Sequence, residues 1–318
     1  MRILLTGATG FIGRGLLERV TTLGNLELAA AVRKSEVVLP EAVEKFQVTG
    51  LEPDTDWRKV VRGIDTVIHS AARVHVMKEV ATDPLSEFRR INVDGTLNFA
   101  RQAVEAGLRR FIFISSIKVN GESTIAGIPY FADAQPMPTD SYGISKMEAE
   151  QGLRALAEET GLEVVIIRPT LVYGPGVKAN FFNMMRWLQK GVPLPFGAIN
   201  NRRSLIALDN LVDLIVTCID HPSAANQTFL VSDDEDLSTT ELLWRTAAAL
   251  GKPARLVPVP QGMLVSGLRL LGKGDLAQRL CGSLQVDISK TRALLGWTPP
   301  VSVDEGLRRA VAGIKVKG

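Results

Sequence analysis

The sequence is poor in groups that could make covalent staples or metal cages. Its two cysteines, Cys218 and Cys281, cannot build a disulfide framework and read as small buried hydrophobes of a reducing compartment. The three histidines, His69, His75 and His221, have no metal-ligand spacing among them, so no metal site is expected. No uninterrupted apolar run reaches the length of a membrane span. No basic stretch followed by an apolar core marks a secretory leader at the start. These absences point to a cytoplasmic protein. Charge of one sign is also missing in bulk: 37 Lys and Arg stand against 34 Asp and Glu, scattered rather than blocked, which argues against nucleic-acid binding. The formal net charge of +3 suits a ligand that carries phosphates.

What is present is alternation. Apolar runs at Ile3–Leu5, Leu28–Val32, Phe46–Val48, Val67–Ile68, Phe111–Ile114 and Val164–Ile167 are separated by amphipathic stretches, the first with Ile12, Leu16, Val20 and Leu23 at one-turn spacing. Several runs are apolar throughout, as strands of a parallel sheet buried on both faces should be. The pattern predicts an α/β fold with a doubly wound parallel sheet. After Arg168-Pro169 the texture turns rich in Pro and Gly, a strand-helix unit returns at Leu205–Ile219, and a further strand runs Thr228–Val231. We therefore expect a larger domain of residues 1–174 with about 205–232, and a smaller lobe of about 175–204 with 233–318.

Gly7-Ala8-Thr9-Gly10-Phe11-Ile12-Gly13 follows the first strand and opens the first helix. Glycines there allow a tight turn, and the free N–H groups of a helix start favour a pyrophosphate. The next strand ends in Val32-Arg33-Lys34, with no carboxylate to accept from a ribose hydroxyl. An arginine at that point favours a 2'-phosphate, hence NADP over NAD; two solvated basic residues at a strand end are the plainer alternative.

Tyr142-Gly143-Ile144-Ser145-Lys146 puts a phenol and an ammonium on one helical face. A free phenol titrates near about 10, and a nearby cation favours its ionised form. Ser115-Ser116 ends the strand Phe111–Ile114, where side chains of a parallel sheet face a ligand crevice. Lys118 adds a cation two residues on, either reaching a sugar oxygen or phosphate or projecting into solvent.

Taken in order, Thr6-Gly7-x-x-Gly10-x-x-Gly13, His69-Ser70-Ala71-Ala72, Asn92-x-x-Gly95-Thr96, Ser115-Ser116 with Val119-Asn120-Gly121, Tyr142-x-x-x-Lys146, and Arg168-Pro169 through Tyr173-Gly174-Pro175-Gly176 resemble the extended short-chain dehydrogenases/reductases. The likeness is greatest to UDP-hexose 4-epimerases and UDP-4-keto-6-deoxy-sugar 4-reductases. It implies a Rossmann-type sheet with a smaller mixed C-terminal substrate lobe. It implies Tyr142 as acid/base, Lys146 as its electrostatic partner and a ribose contact, and Ser116 as the catalytic hydroxyl. Gly7, Gly10, Phe11, Ile12, Gly13, Arg33, Ala71, Ala72, Asn92 and Pro169 would surround an NAD(P)(H) cofactor. Lys118, Asn180, Arg203 and Arg279 would contact a UDP-sugar. The family also implies a homodimer formed through the helix around Leu85–Ala106 and the Tyr142 helix. Departures are Gly50-Leu51 in place of an acidic residue near the adenine, and Asn120 in place of a common tyrosine.

Three chemistries remain. Arg33, and the resemblance of Ser116-Ile117-Lys118-Val119-Asn120-Gly121-Glu122 to the keto-sugar reductase group, favour a 4-keto-sugar reductase using NADPH, in surface-polysaccharide precursor synthesis. A UDP-glucose or UDP-N-acetylglucosamine 4-epimerase with tightly held NAD is the alternative. A 4,6-dehydratase would need an Asp-Glu pair where Ile117-Lys118 stand, and a non-catalytic cofactor-binding protein would not need Tyr142, Lys146 and Ser116 together. Gln261–Leu284 reads first as a helical cover over the sugar pocket, with a basic amphipathic element on a membrane surface as the weaker alternative.

Overall fold

The computed structural model describes residues 1–24, 26–74 and 83–313; His75 lies outside them. Seven parallel strands form the main sheet: β1 (Arg2–Thr6), β2 (Glu27–Val32), β3 (Val43–Gln47), β4 (Thr66–His69), β5 (Arg110–Ile114), β6 (Glu163–Pro169) and β9 (Thr228–Val231), in the order β3-β2-β1-β4-β5-β6-β9.

Strand alternation explains why both faces are apolar. Ile3 and Leu5 of β1, Ile112 and Ile114 of β5, and Val165 and Ile167 of β6 point to one side. There they meet α1 (Phe11–Leu23) and α7 (Leu208–Thr217), through Leu16, Val20, Leu211 and Ile215. Leu4, Phe111, Phe113, Val164 and Ile166 point to the other side and meet Phe99 and Ala103 of α4 (Gly95–Glu105) and Leu153 of α5 (Ser141–Thr160). A residue shifted by one position would cross from one core to the other. The expected doubly wound α/β architecture is the one found. Of the shorter helices on this second side, α2 (Arg58–Val61) packs on α4, and α3 (Pro84–Arg89) leads through a π-helical turn, Arg90–Asp94, into α4.

The strand expected near Leu205 does not join the main sheet. β8 (Arg203–Ala207) pairs in parallel with β7 (Leu171–Tyr173) and antiparallel with β10 (Asp236–Leu237), making a small mixed sheet. Around it lie α6 (Ala179–Gln189), α8 (Thr239–Ala249) and α12 (Val303–Ala312), whose Phe181, Met185, Leu307 and Ala310 share a core with Tyr173 and Leu205. The helices α9 (Gln261–Leu270) and α10 (Gly274–Cys281) come next in the chain, followed by α11 (Ser289–Leu295), which packs on β9.

Candidate active site at the carboxyl edge of the sheet

The β1–α1 turn is built to admit a ligand's backbone-level approach. Gly7 has φ +74°, which an L side chain adopts only with strain, and Gly10 N donates to Gly7 O at 2.8 Å. A Cβ on Gly13 would stand 2.1 Å from Gly7 O, and one on Gly7 would stand 2.7 Å from Ala71 N. These glycines therefore let β1, the start of α1 and the Ala71-Ala72 loop after β4 crowd together. Gly10 caps α1 without a side-chain bond, so the first N–H groups of the helix are left for an anion. These residues fit the pyrophosphate of a dinucleotide. Arg33 follows β2 directly and is exposed.

Behind the turn, His69 bridges Thr6 Oγ1 at 2.8 Å and Thr96 Oγ1 at 3.1 Å, locking the ends of β1 and β4 to α4. Burial, and then the Lys146 charge, push its imidazole down to about 3, so it is a neutral strut. Gly95 explains the second glycine motif, because a Cβ there would lie 1.7 Å from Leu51 O. Asn92, in the π-turn, donates to Arg73 O and Ser145 Oγ, both at 3.0 Å, and accepts from Arg73 N at 2.8 Å. It thus staples the β4 loop to α5.

Asp140 caps α5, accepting from Gly143 N at 2.7 Å, and so fixes the first turn that carries Tyr142. Tyr142 meets Phe88 edge-on, with centroids 6.1 Å apart. Four residues on, the Lys146 ammonium donates to Ile114 O at 2.8 Å and lies 4.2 Å from the centre of the Phe113 ring. The expected lowering of the phenol by Lys146 is absent: burial, and then the charge of Asp140, push Tyr142 up to about 12. Burial outweighs the nearby Glu150 carboxylate and draws Lys146 down to about 7. In this environment desolvation exceeds the pairwise attraction.

The two adjacent serines take different surroundings. Ser115 turns inward and donates to Glu150 Oε1 at 2.6 Å, whereas Ser116 Oγ faces the cavity and accepts from Lys118 N at 3.2 Å. Glu150 is 1% exposed and is held by Arg168 through Nε at 2.9 Å and a second nitrogen at 2.5 Å. Arg168 also donates to Asn120 Oδ1 at 3.0 Å, which gives Asn120 a structural partner. Lys118 takes a course between the two expected ones. It lines the cavity, but its ammonium is paired with Asp140 and, at 2.8 Å, with Glu122. Burial lowers its pKa, yet the hydrogen bonds to those carboxylates outweigh it and the net shift is upward.

A cavity of about 1700 Å³ opens beyond this edge of the sheet. Gly10, Phe11, Ser116, Lys118 and Pro169 line it from the sheet side, and Asn180, Arg203 and Arg279 from α6, β8 and α10. Arg203 donates to Gly282 O at 3.1 Å and burial lowers its pKa. Gly7, Ile12, Gly13, Arg33, Ala71, Ala72, Asn92, Tyr142 and Lys146 lie outside this lining. The sequence reading missed Asp140, although an Asp directly before a helical run is an N-cap signature. It also missed the apolar wall of Met184, Trp187 and Phe196, which no short motif marks.

The NAD dependent epimerase/dehydratase family model matches residues 3–232. A UDP-glucose 4-epimerase of Vibrio cholerae is 50% identical over 313 residues, covering 96% of this chain and 93% of its own. A dTDP-4-dehydro-6-deoxyglucose reductase of Escherichia coli is 25% identical, covering 99% and 98%. Among solved structures, the UDP-glucuronic acid 4-epimerase of Bacillus cereus in complex with NAD superposes with a TM-score of 0.79 at 21% identity, covering 98% of this chain and 96% of that one. That likeness bears on the fold. With the family model over residues 3–232 and a relative 50% identical along nearly the whole chain, the chain belongs to the NAD-dependent epimerase/dehydratase family, an enzyme of the extended short-chain dehydrogenase/reductase type.

Proposed function

We propose that the enzyme inverts C4 of a UDP-hexose and keeps NAD bound through the cycle. The observation that carries this reading is the 50% identity to a UDP-glucose 4-epimerase along nearly the whole chain. It moves the epimerase ahead of the keto-sugar reductase that the sequence alone favoured. NAD is preferred to NADP on the family's description and on the NAD held by the Bacillus cereus structure. Arg33 at the end of β2 is the remaining argument for NADP.

When bound, the dinucleotide supplies the hydride acceptor and a positive ring beside the phenol. Tyr142 moves the proton at the sugar C4 oxygen, and Ser116 donates a hydrogen bond to the same oxygen as its charge changes. Lys146, anchored on Ile114 O, holds its amine toward the phenol and the ribose, and the charge it carries when protonated favours the ionised phenol. Asn180, Arg203 and Arg279 receive the diphosphate of the substrate, and the cavity beyond Ser116 gives the sugar room to turn. The same reading assigns residues 1–174 and about 205–232 to cofactor binding and the rest to the sugar nucleotide. It pairs two copies through α4 and α5, and it places the enzyme in the cytoplasm, making precursors of surface polysaccharide.

The test is incubation of the purified protein with UDP-glucose, or with UDP-N-acetylglucosamine, and no added cofactor. Proton NMR should report the galacto epimer, and denaturation should release NAD. NADPH consumption with a 4-keto sugar nucleotide, and no epimer from either hexose, would replace the epimerase with the reductase.

A further inference from the structure

The catalytic reading leaves α9 without a role, and its surface does not suit an ordinary cover helix. None of its ten residues is buried. Met263 is 67% and Leu270 89% exposed, and Leu271, which follows, is 71% exposed. Met263, Gly267, Leu270 and Leu271 follow the i, i+4, i+7, i+8 spacing of one helical face. The half-buried Leu264, Val265 and Leu268 occupy the other face. Large apolar side chains gathered at such exposure mark a surface that meets something.

The charge along this stretch of chain is one-sided. From Lys252 to Lys273 it carries Lys252, Arg255, Arg269 and Lys273 and no Asp or Glu. None of these four cations makes an ion pair among the described residues. In a chain that is otherwise nearly balanced, this is the basic amphipathic pattern that seats on an anionic lipid surface. A second copy docked by a two-fold axis through the same face would bring the two sets of cations together, which disfavours self-association. With ten residues α9 is too short to span a bilayer, and no helix among the described residues is long and apolar enough to cross one.

We propose that α9 and its flanking cations form a docking surface for an anionic phospholipid bilayer, with α9 lying in the headgroup plane. The proposal does not rest on the epimerase reading. Its consequence lies one layer inward: α9 packs on α10, whose Leu276 and Arg279 line the catalytic cavity. Gln261 ties the start of α9 to the end of α10, donating to Cys281 O at 3.1 Å. Docking would therefore hold the cavity wall near the headgroups.

The experiment is flotation of the full chain with vesicles of phosphatidylcholine alone and of phosphatidylcholine mixed with phosphatidylglycerol. The protein should rise with the anionic vesicles only, and less so as salt is added. Leu270→Gln with Leu271→Gln, and separately Arg269→Glu with Lys273→Glu, should each lower the bound fraction at unchanged thermal midpoint. For the second pair the loss should be about fivefold or more per reversed charge. Equal recovery with both vesicle types, or anionic binding indifferent to both double variants, overturns the proposal. So does a self-associated mass in light scattering that Leu270→Gln with Leu271→Gln abolishes, since a second copy would then cover the face.

Discussion

Tyr142 near 12 and Lys146 near 7 leave a protonated phenol beside a partly neutral amine at physiological pH. The phenol is set to donate in this state, and its action as a base needs the additional positive charge of the dinucleotide. Tyr142→Phe keeps the ring that meets Phe88, so the fold should survive while turnover drops by about 10²–10⁴; epimer yield against circular dichroism checks both. Lys146 makes a prediction about stability. Its pKa falls from 10.5 to about 7 on folding, so between those values the unfolded chain holds a proton that the folded chain has released. This contribution makes stability rise with pH across that window, and the penalty is full below about 7. Lys146→Met should flatten that slope by up to about 1.4 kcal/mol per pH unit in denaturant titrations at several pH values. Glu150 faces the opposite hazard. With Glu150→Gln the Arg168 charge stays buried and unmatched, and we expect about 3–5 kcal/mol of destabilisation in urea unfolding.

At the scale of elements, the strand-turn-helix unit at the start of the chain depends on contacts that tolerate no added carbon. Gly13→Ala would drive a methyl to 2.1 Å from Gly7 O, which forces α1 away from the turn. Cofactor retention should be lost, read as absent nicotinamide dinucleotide after denaturing the purified variant. This unit was legible in the sequence because its glycines and its apolar strand are adjacent along the chain. The main strands were legible for the same reason: buried parallel strands write continuous apolar runs. β7 and β10 have three and two residues, too few to show a period, and the small sheet they make with β8 was not anticipated. The π-turn at Arg90–Asp94 keeps a helical pattern and hides in it, though it is what aims Asn92 at Ser145. Glu150 and Arg168 read as a polar helix residue and a strand-end cation, because their meeting at 2.9 Å depends on how α5 packs on β6. The pKa values were misjudged because burial, which sets them, is not written in spacing.

Across the whole molecule, the proposed pairing would set the α4–α5 pair of one copy against that of another. Within the chain these two helices pack together, and Gly152 of α5 lets Leu97 of α4 come so near that an added Cβ would lie 2.7 Å from it. Light scattering should report twice the 34.5 kDa chain mass, and a single-chain mass at micromolar concentration would remove the pairing.

The arrangement of the main sheet also bears on how the chain must be made. β9 is the last strand to arrive and the only partner of β6 on that side, and between them the polypeptide leaves the sheet to build β7, α6, β8 and α7. A ribosome that has released Pro169 has therefore produced six strands whose newest, β6, still shows a seven-residue margin of bare peptide groups, open to any stray strand nearby. Thr228–Val231 covers Ile166–Pro169 of that margin and leaves a shorter outer strand of four residues, so a chain halted early would be a seed for clumping rather than a smaller working enzyme.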